Sequence, residues 1–388
     1  MLAANSHTWV RSRTPSPALT RRFPLTIKSI ACSRVSASRW SELLTATTKP
    51  PGRLPGRYVS IGLLAGLIAA IVATVWLRTQ PSAAFGFVVV CSVQTVPAPS
   101  FPQVLTTVAV EPVLVYLIAA TAVAYYLMFR SVRATGYRRQ MPVWRLVSFM
   151  AGLALVSLTV LGPLSAYDHT FLFVHMLQHF ILVTIAPPLL LAGAPLTLLL
   201  IAAGRERRQT WLYPVLHSGP FHVFSHPLVG LVLFALIPTM WYLTPIFEAS
   251  LDRDWLHFGG YGLFLFAGIH YWWPVVPANP TRWNLAYPIR LLYLLALVPI
   301  HAFLGLLFYE PDQVMYPALQ ETIRAWGPSP LLDQQAAGVL MFVGGEALGL
   351  LALVAVAVQW ANDEERKGAR YDRELARQKR LKTATTKG

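Results

Sequence analysis

Cysteine is nearly missing from this chain, with two in 388 residues, Cys32 and Cys91, and no CxC, CxxC or CxxxC pair. That excludes a thiolate metal site and a disulfide framework within the chain, and leaves histidine, methionine and carboxylate to hold any metal. Charge is also scarce, at 13% of residues, about half the roughly 25% of a soluble globular protein. Acids are the scarcer sign, 17 against 32 Lys plus Arg, for a formal charge of +15. There is no nucleotide-binding loop, no Ser/His/Asp nucleophile elbow and no HExxH zinc motif, so the sequence does not read as an enzyme.

Apolar residues are abundant, at 55%. The chain therefore reads as an all-α integral membrane protein whose first partner is the lipid bilayer. Its Lys and Arg sit in loops and tails rather than on amphipathic or aromatic-interleaved faces, so no nucleic-acid partner is read from the charge. Apolar stretches near 20 residues mark spanning helices, at about 58–77, 108–129, 143–163, 170–192, 226–246, 255–275, 289–309 and 336–360. The last seven form a seven-helix transmembrane bundle. The first, an optional eighth at the N-terminus, is weaker because 83–102 is apolar but proline-rich.

Short loops with excess Lys and Arg stay in the cytoplasm. Arg130, Arg133, Arg138, Arg139 and Arg145 mark one such loop, Arg205, Arg207 and Arg208 the next, and Arg282 and Arg290 a third. The opposite side carries only Arg78, Arg253 and Arg324, among Asp168, Glu248, Asp252, Asp254, Glu310, Asp312, Glu321 and Asp333. The expected protein is thus multi-pass in the plasma membrane, with its C-terminus cytoplasmic.

On that topology the segment YDHTFLFVHMLQHF places His175 and His179 in the outer half of a helix, one turn apart on one face, with His169 at its outer mouth. His257 opens a second helix at the same level, and His301 lies past the middle of a third. A lone histidine in a bundle is about as often an interhelical hydrogen-bonding group as a ligand. A pair on one face, with two more from other helices, favours a metal or cofactor. Imidazole suits copper, zinc and iron, and a thioether from Met176, Met240 or Met341 would bias the site to Cu(I), although Met176 points about 100° from His175 and reads better as packing. Haem is the competing cofactor, since facing histidines serve as axial ligands and Gly259, Gly260, Gly262 and Gly268 offer room. His217, His222 and His226 lie in a polar cytoplasmic loop, with His226 anchoring a helix start before Pro227. His270 reads as part of an interfacial aromatic belt with Tyr271, Trp272 and Trp273.

The runs YDHTFLFVHMLQHFILVTIAPPLLLAGAPLTLLL, SHPLVG, TPIFEASLDRDWLH, VPIHAFLGLLF, LLDQQAAGVLMFVGGE and VQWANDEERKGARYDRE, in that order over about residues 103–377, resemble the CtaG family of cytochrome c oxidase assembly factors in its actinobacterial form. The resemblance implies a polytopic membrane protein that assembles haem-copper oxidase by handling copper. It carries over His175, Gln178 and His179 as an HxxQH motif, His257 and His301 as further histidines, and Asp333 with Gln334 as a DQ pair. It also implies a histidine six residues after His257, where this chain has Leu263, a gap that His169 or Glu346 could fill.

The sequence thus divides into a basic disordered tail (1–57), a possible extra helix with a proline-rich linker (58–102), a seven-helix membrane domain (103–362) and a charged cytoplasmic tail continuing the last helix (363–388). The expected function is to bind copper transiently at His175, His179, His257, His301 and His169 and deliver it to cytochrome c oxidase subunits, with Gln178, Asp168, Asp333, Gln334, Glu346 and Met176 in support. A haem-binding membrane protein and a metal-free assembly scaffold for the same oxidase are the alternatives.

Overall fold

The structure is a computed structural model that describes residues 56–79, 88–89, 109–321 and 326–386. The expected tail up to residue 55, most of the proline-rich linker, both cysteines and Arg324 lie outside them. The described chain is a helical bundle, and its only strand pairing is a two-residue parallel contact between Val88–Val89 and Ala109–Val110. The helices are α1 (Gly56–Arg78), α2 (Pro112–Ala134), α3 (Val143–Leu161), α4 (Pro163–Tyr167), α5 (Leu172–Phe180), α6 (Ala186–Ala192), α7 (Pro195–Ala202), α8 (Pro227–Leu243), α9 (Ile246–Asp252), α10 (Asp254–Trp272), α11 (Tyr287–Leu295), α12 (Leu297–Tyr309), α13 (Pro330–Val339) and α14 (Gly345–Thr386). Short helical turns between residues 204 and 224, one of them a π-helix over Arg208–Leu212, join α7 to α8, and a further short helix covers Pro317–Glu321.

Six helical stretches are long and apolar enough to cross a membrane, or seven with α8 and α9 taken as one span bent by 68°. Each of the eight stretches expected from hydropathy falls on a helix, including the weak first one as α1. At 19 residues α10 is about 28 Å long, but its histidines, glycines and aromatic rings dilute its apolarity. Close packing houses it instead. Gly230 of α8 lies against the His270 carbonyl, and Gly268 of α10 against Val183 and Pro187.

Proline sets where the long spans break. Pro187 has no N–H to give the Val183 carbonyl and would crowd it in a regular helix. The chain widens there into a π-helix over Ile181–Ile185, and the Val183 carbonyl faces Gly268, where any side chain would collide with it. Pro163 opens α4 after the extended Gly162, and Pro299 follows the break between α11 and α12. Another π-helix, Leu340–Gly344, joins α13 to α14.

At 42 residues α14 is roughly 63 Å long, twice a bilayer core of about 30 Å. Its second half is the charged tail, read correctly as a helical continuation, with Lys367 on Glu364 at 2.7 Å. α1 is tied in by charge: Arg78 pairs with Asp254 of α10 and, at 3.2 Å, with the buried Glu111, which also accepts from Thr74 at 2.7 Å. One reading is corrected here. Tyr271 and Trp272 are 0% and 5% exposed, so they are core and not an aromatic belt, because α10 is enclosed by α6, α8 and α11, and Tyr271 donates to the Tyr293 carbonyl at 3.2 Å.

Candidate metal centre

The break between α4 and α5 builds the site. Tyr167 ends one helix, Asp168 to Thr170 turn, and α5 begins at Leu172 with its first amides unpaired within the helix. Asp333, at the start of α13, reaches across and accepts from the Leu172 amide at 2.7 Å and the Phe173 amide at 3.1 Å. This carboxylate caps α5 from another helix. It fixes the azimuth of α5, and so of His175 and His179, whose ring centroids lie 4.4 Å apart.

Asp168, His169 and His257 form a closed triangle. His169 Nδ1 is 2.6 Å from Asp168 Oδ1, His257 Nδ1 is 3.3 Å from His169 Nε2, and His257 Nε2 is 3.5 Å from Asp168 Oδ2. One candidate ligand atom from each residue lies within 4.8 Å of the others. Burial alone would push the Asp168 carboxyl up, but the imidazoles of His257 and His169 outweigh it and hold it below the usual carboxylate range. It is an anion. The triangle has three polar edges, yet two neutral imidazoles bring only two N–H groups. The third edge therefore sets lone pair against lone pair unless a cation, proton or metal ion, occupies it.

Further rings extend the triangle inward. His175 lies 5.1 Å from His257 between ring centroids. It sits against the Asp168 backbone, and neither of its nitrogens has a hydrogen-bond partner of ordinary geometry. His179 Nδ1 is 2.7 Å from the Tyr242 hydroxyl, its ring stacks on Phe264 at 3.9 Å, and its buried Nε2 has no partner. His175, His179 and His257 are all 2% exposed or less. Buried polar atoms of this kind are commonly satisfied by an ordered water or an ion.

The other expected residues fall elsewhere. His301 is buried, but its ring neighbours are Phe180 and Phe234, and Gly345 packs against it. It reaches the cluster only across a small cavity that it lines with His179, Tyr242 and Met341. Asp333 is the cap just described. Gln334 is structural too, accepting from the Met315 amide at 2.8 Å and donating to the Phe308 carbonyl at 3.3 Å. Gln178 bonds the Thr159 carbonyl at 2.9 Å and the Tyr261 hydroxyl at 3.3 Å, and so braces α5 against α3 and α10. Glu346 follows Gly345, with its Oε1 buried and unpaired. Met176 is fully buried packing. Leu263 is 40% exposed, on the outside of the bundle, so the histidine expected there would not join the cluster, whereas His169 lies within it. His226 caps α8, accepting from the Leu228 amide at 3.1 Å.

Two tyrosines were not foreseen. Tyr261 donates to Asp168 at 2.8 Å and so orients the carboxylate, and Tyr242 fixes the His179 ring. Tyr261 stands one helical turn after His257, a spacing that could have flagged it. Nothing in the sequence near Tyr242 points to His179, because the pairing crosses from α8 to α5.

The family model for the cytochrome c oxidase caa3 assembly factor, Caa3_CtaG, matches residues 123–363. Among curated proteins the chain is 29% identical over 282 residues to an uncharacterized protein of Mycobacterium bovis and equally to one of Mycobacterium tuberculosis, covering 71% of this chain and 42% of each relative. An uncharacterized protein of Mycobacterium leprae is 30% identical over 268 residues, 66% of this chain and 40% of the relative. The chain spans about two fifths of the length of these relatives. No solved structure matches.

Proposed function

Because the chain belongs to the caa3 family of cytochrome c oxidase assembly factors, we propose that it binds copper at Asp168, His169 and His257, with His175 and His179 alongside, and hands it to the oxidase metal centres. The proton count of the triangle carries this reading. A carboxylate and two imidazoles closed on one another leave one edge for a cation, which a metal ion can take in place of a proton. Imidazole and carboxylate hold copper in either common oxidation state, and the side-chain hydrogen bonds around them keep the ligands aimed without closing the site. His169, with 12% of its side chain exposed, is the member through which an ion exchanges with a partner. On the charge topology this end of the bundle faces outward, and the protein lies in the cell membrane with its C-terminus in the cytoplasm.

Haem is the weaker fit. Two of the glycines that offered it room are already used for packing, Gly260 by the Trp241 ring and Gly268 by Val183 and Pro187, and the cavity beside His179 has room for roughly one water-sized guest. Purified protein titrated with Cu(I) against a competing chelator tests the proposal. His257→Gln with His169→Gln is expected to weaken binding by on the order of 100-fold, since lesser changes around metal ligands already cost 10–100-fold. An unchanged affinity refutes it, and a Soret band in the isolated protein would put haem in its place.

A further inference from the structure

We propose that the imidazoles form a relay between two copper stations, the Asp168, His169 and His257 triangle at the mouth and a deeper Cu(I) site made by His179, His301 and Met341. The inference rests on the copper reading above and adds a second site to it. The rings run in file: His169 to His257 at 4.7 Å between centroids, His257 to His175 at 5.1 Å, and His175 to His179 at 4.4 Å. Beyond His179 lies the small cavity that His301 and Met341 also line, its other walls being mainly phenylalanine and aliphatic side chains. His179 Nε2 and His301 Nδ1 are buried without partners, and Met341 is 4% exposed.

The two stations differ in chemistry. The triangle carries an anionic carboxylate and touches solvent through His169. The deeper set is two neutral imidazoles and a thioether in an apolar pocket, and uncompensated charge in such surroundings is costly. A monovalent ion with a taste for nitrogen and sulfur, Cu(I), suits it, and a divalent ion does not. Copper moves along the file as Cu(I), so no electron is exchanged.

The backbone supports a specialised site here independently. Two of the three π-helices among the described residues border this cavity, one through Val183 just after His179 and the other through Met341 itself, while the third, Arg208–Leu212, does not line it. Such bulges are rare and concentrate at functional positions. They offset the turns that present His179 and Met341 from the regular helical register.

The test loads the purified full chain with Cu(I) under reducing conditions and reads copper stoichiometry and the X-ray absorption spectrum. Wild type is expected to hold two equivalents, with a sulfur scatterer beside the imidazole nitrogens. Met341→Leu, a swap of similar volume that cores tolerate well, is expected to lose the sulfur signal and one equivalent while keeping the copper that depends on His257. His301→Gln is expected to lose the same equivalent. A nitrogen-only wild-type spectrum, or a sulfur signal that survives Met341→Leu, overturns the deeper site and leaves the triangle standing. A wild type that binds no copper overturns both.

Discussion

Replacing Asp333 separates support of the metal site from support of the scaffold, because the sequence sets this residue beside the metal site and the structure makes it a helix cap. Its two oxygens take the Leu172 and Phe173 amides at 2.7 and 3.1 Å, and the residue is 1% exposed. A hydrogen bond to a charged group is worth about 1.5–3 kcal/mol, and a carboxylate at a helix N-terminus adds about 0.5–1 kcal/mol through the dipole. Allowing for partial relaxation of the first turn, Asp333→Ala should cost about 3 kcal/mol. Asp333→Asn keeps one acceptor but turns a donor toward the second amide, so it should lose roughly half of that. For a membrane core of this size 3 kcal/mol corresponds to a Tm lower by about 6–12 °C, measurable by thermal unfolding in detergent. Copper affinity should fall only modestly in Asp333→Asn, through loosened seating of His175 and His179. A Tm within about 2 °C of wild type in Asp333→Ala, or a copper loss in Asp333→Asn without a change in Tm, would refute the cap.

Two further outcomes follow from packing. Leu263→His, which restores the histidine expected from the family pattern, should leave copper affinity within about twofold of wild type, since the position is 40% exposed on the outside of the bundle; a tenfold gain in a chelator titration would show that α10 rotates. Gly268→Ala puts a methyl group into the Val183 carbonyl, and overpacking of this kind costs about 1–3 kcal/mol, so Tm should drop by several degrees, whereas the same change at Gly262, which has open space around it, should be silent.

The bundle was legible because hydropathy writes spanning helices directly into composition, and even the doubtful first stretch is a helix, α1. The histidine cluster was legible as well: spacing placed His175 and His179 on one face, and charge topology set His257 beside them. Roles were harder to read. Asp333 and Gln334 share the residue types of ligands, but their partners are backbone amides and carbonyls of segments distant in the chain, and no local pattern encodes such a pairing. His301 lies across a small cavity from His179 and apart from the Asp168, His169 and His257 triangle, because hydropathy gives the height of a residue along a helix and says little about its azimuth once a π-helix has shifted the register. The aromatic cluster after His270 failed for the opposite reason. Aromatic residues at a helix end belong equally to a membrane interface or to a buried seam, and the small residues Gly230 and Gly268, which let neighbouring backbones close around α10, decide for the seam.

Those breaks in helical register and the polar site have one cause. Backbone that leaves the helix at membrane depth must be covered by protein, since lipid cannot satisfy its amides and carbonyls. Pro163, Pro187 and Pro299 each interrupt a span, and the break after α4, the π-helix after His179 and the turn before His301 all face the interior. A chain that buries such breaks has already built a region where carboxylate, tyrosine and imidazole find partners. Gln178 on the Thr159 carbonyl, Tyr261 on Asp168 and Asp333 on the α5 amides are the neutral and anionic parts of that region. They converge on Asp168, where His169 and His257 close the cluster.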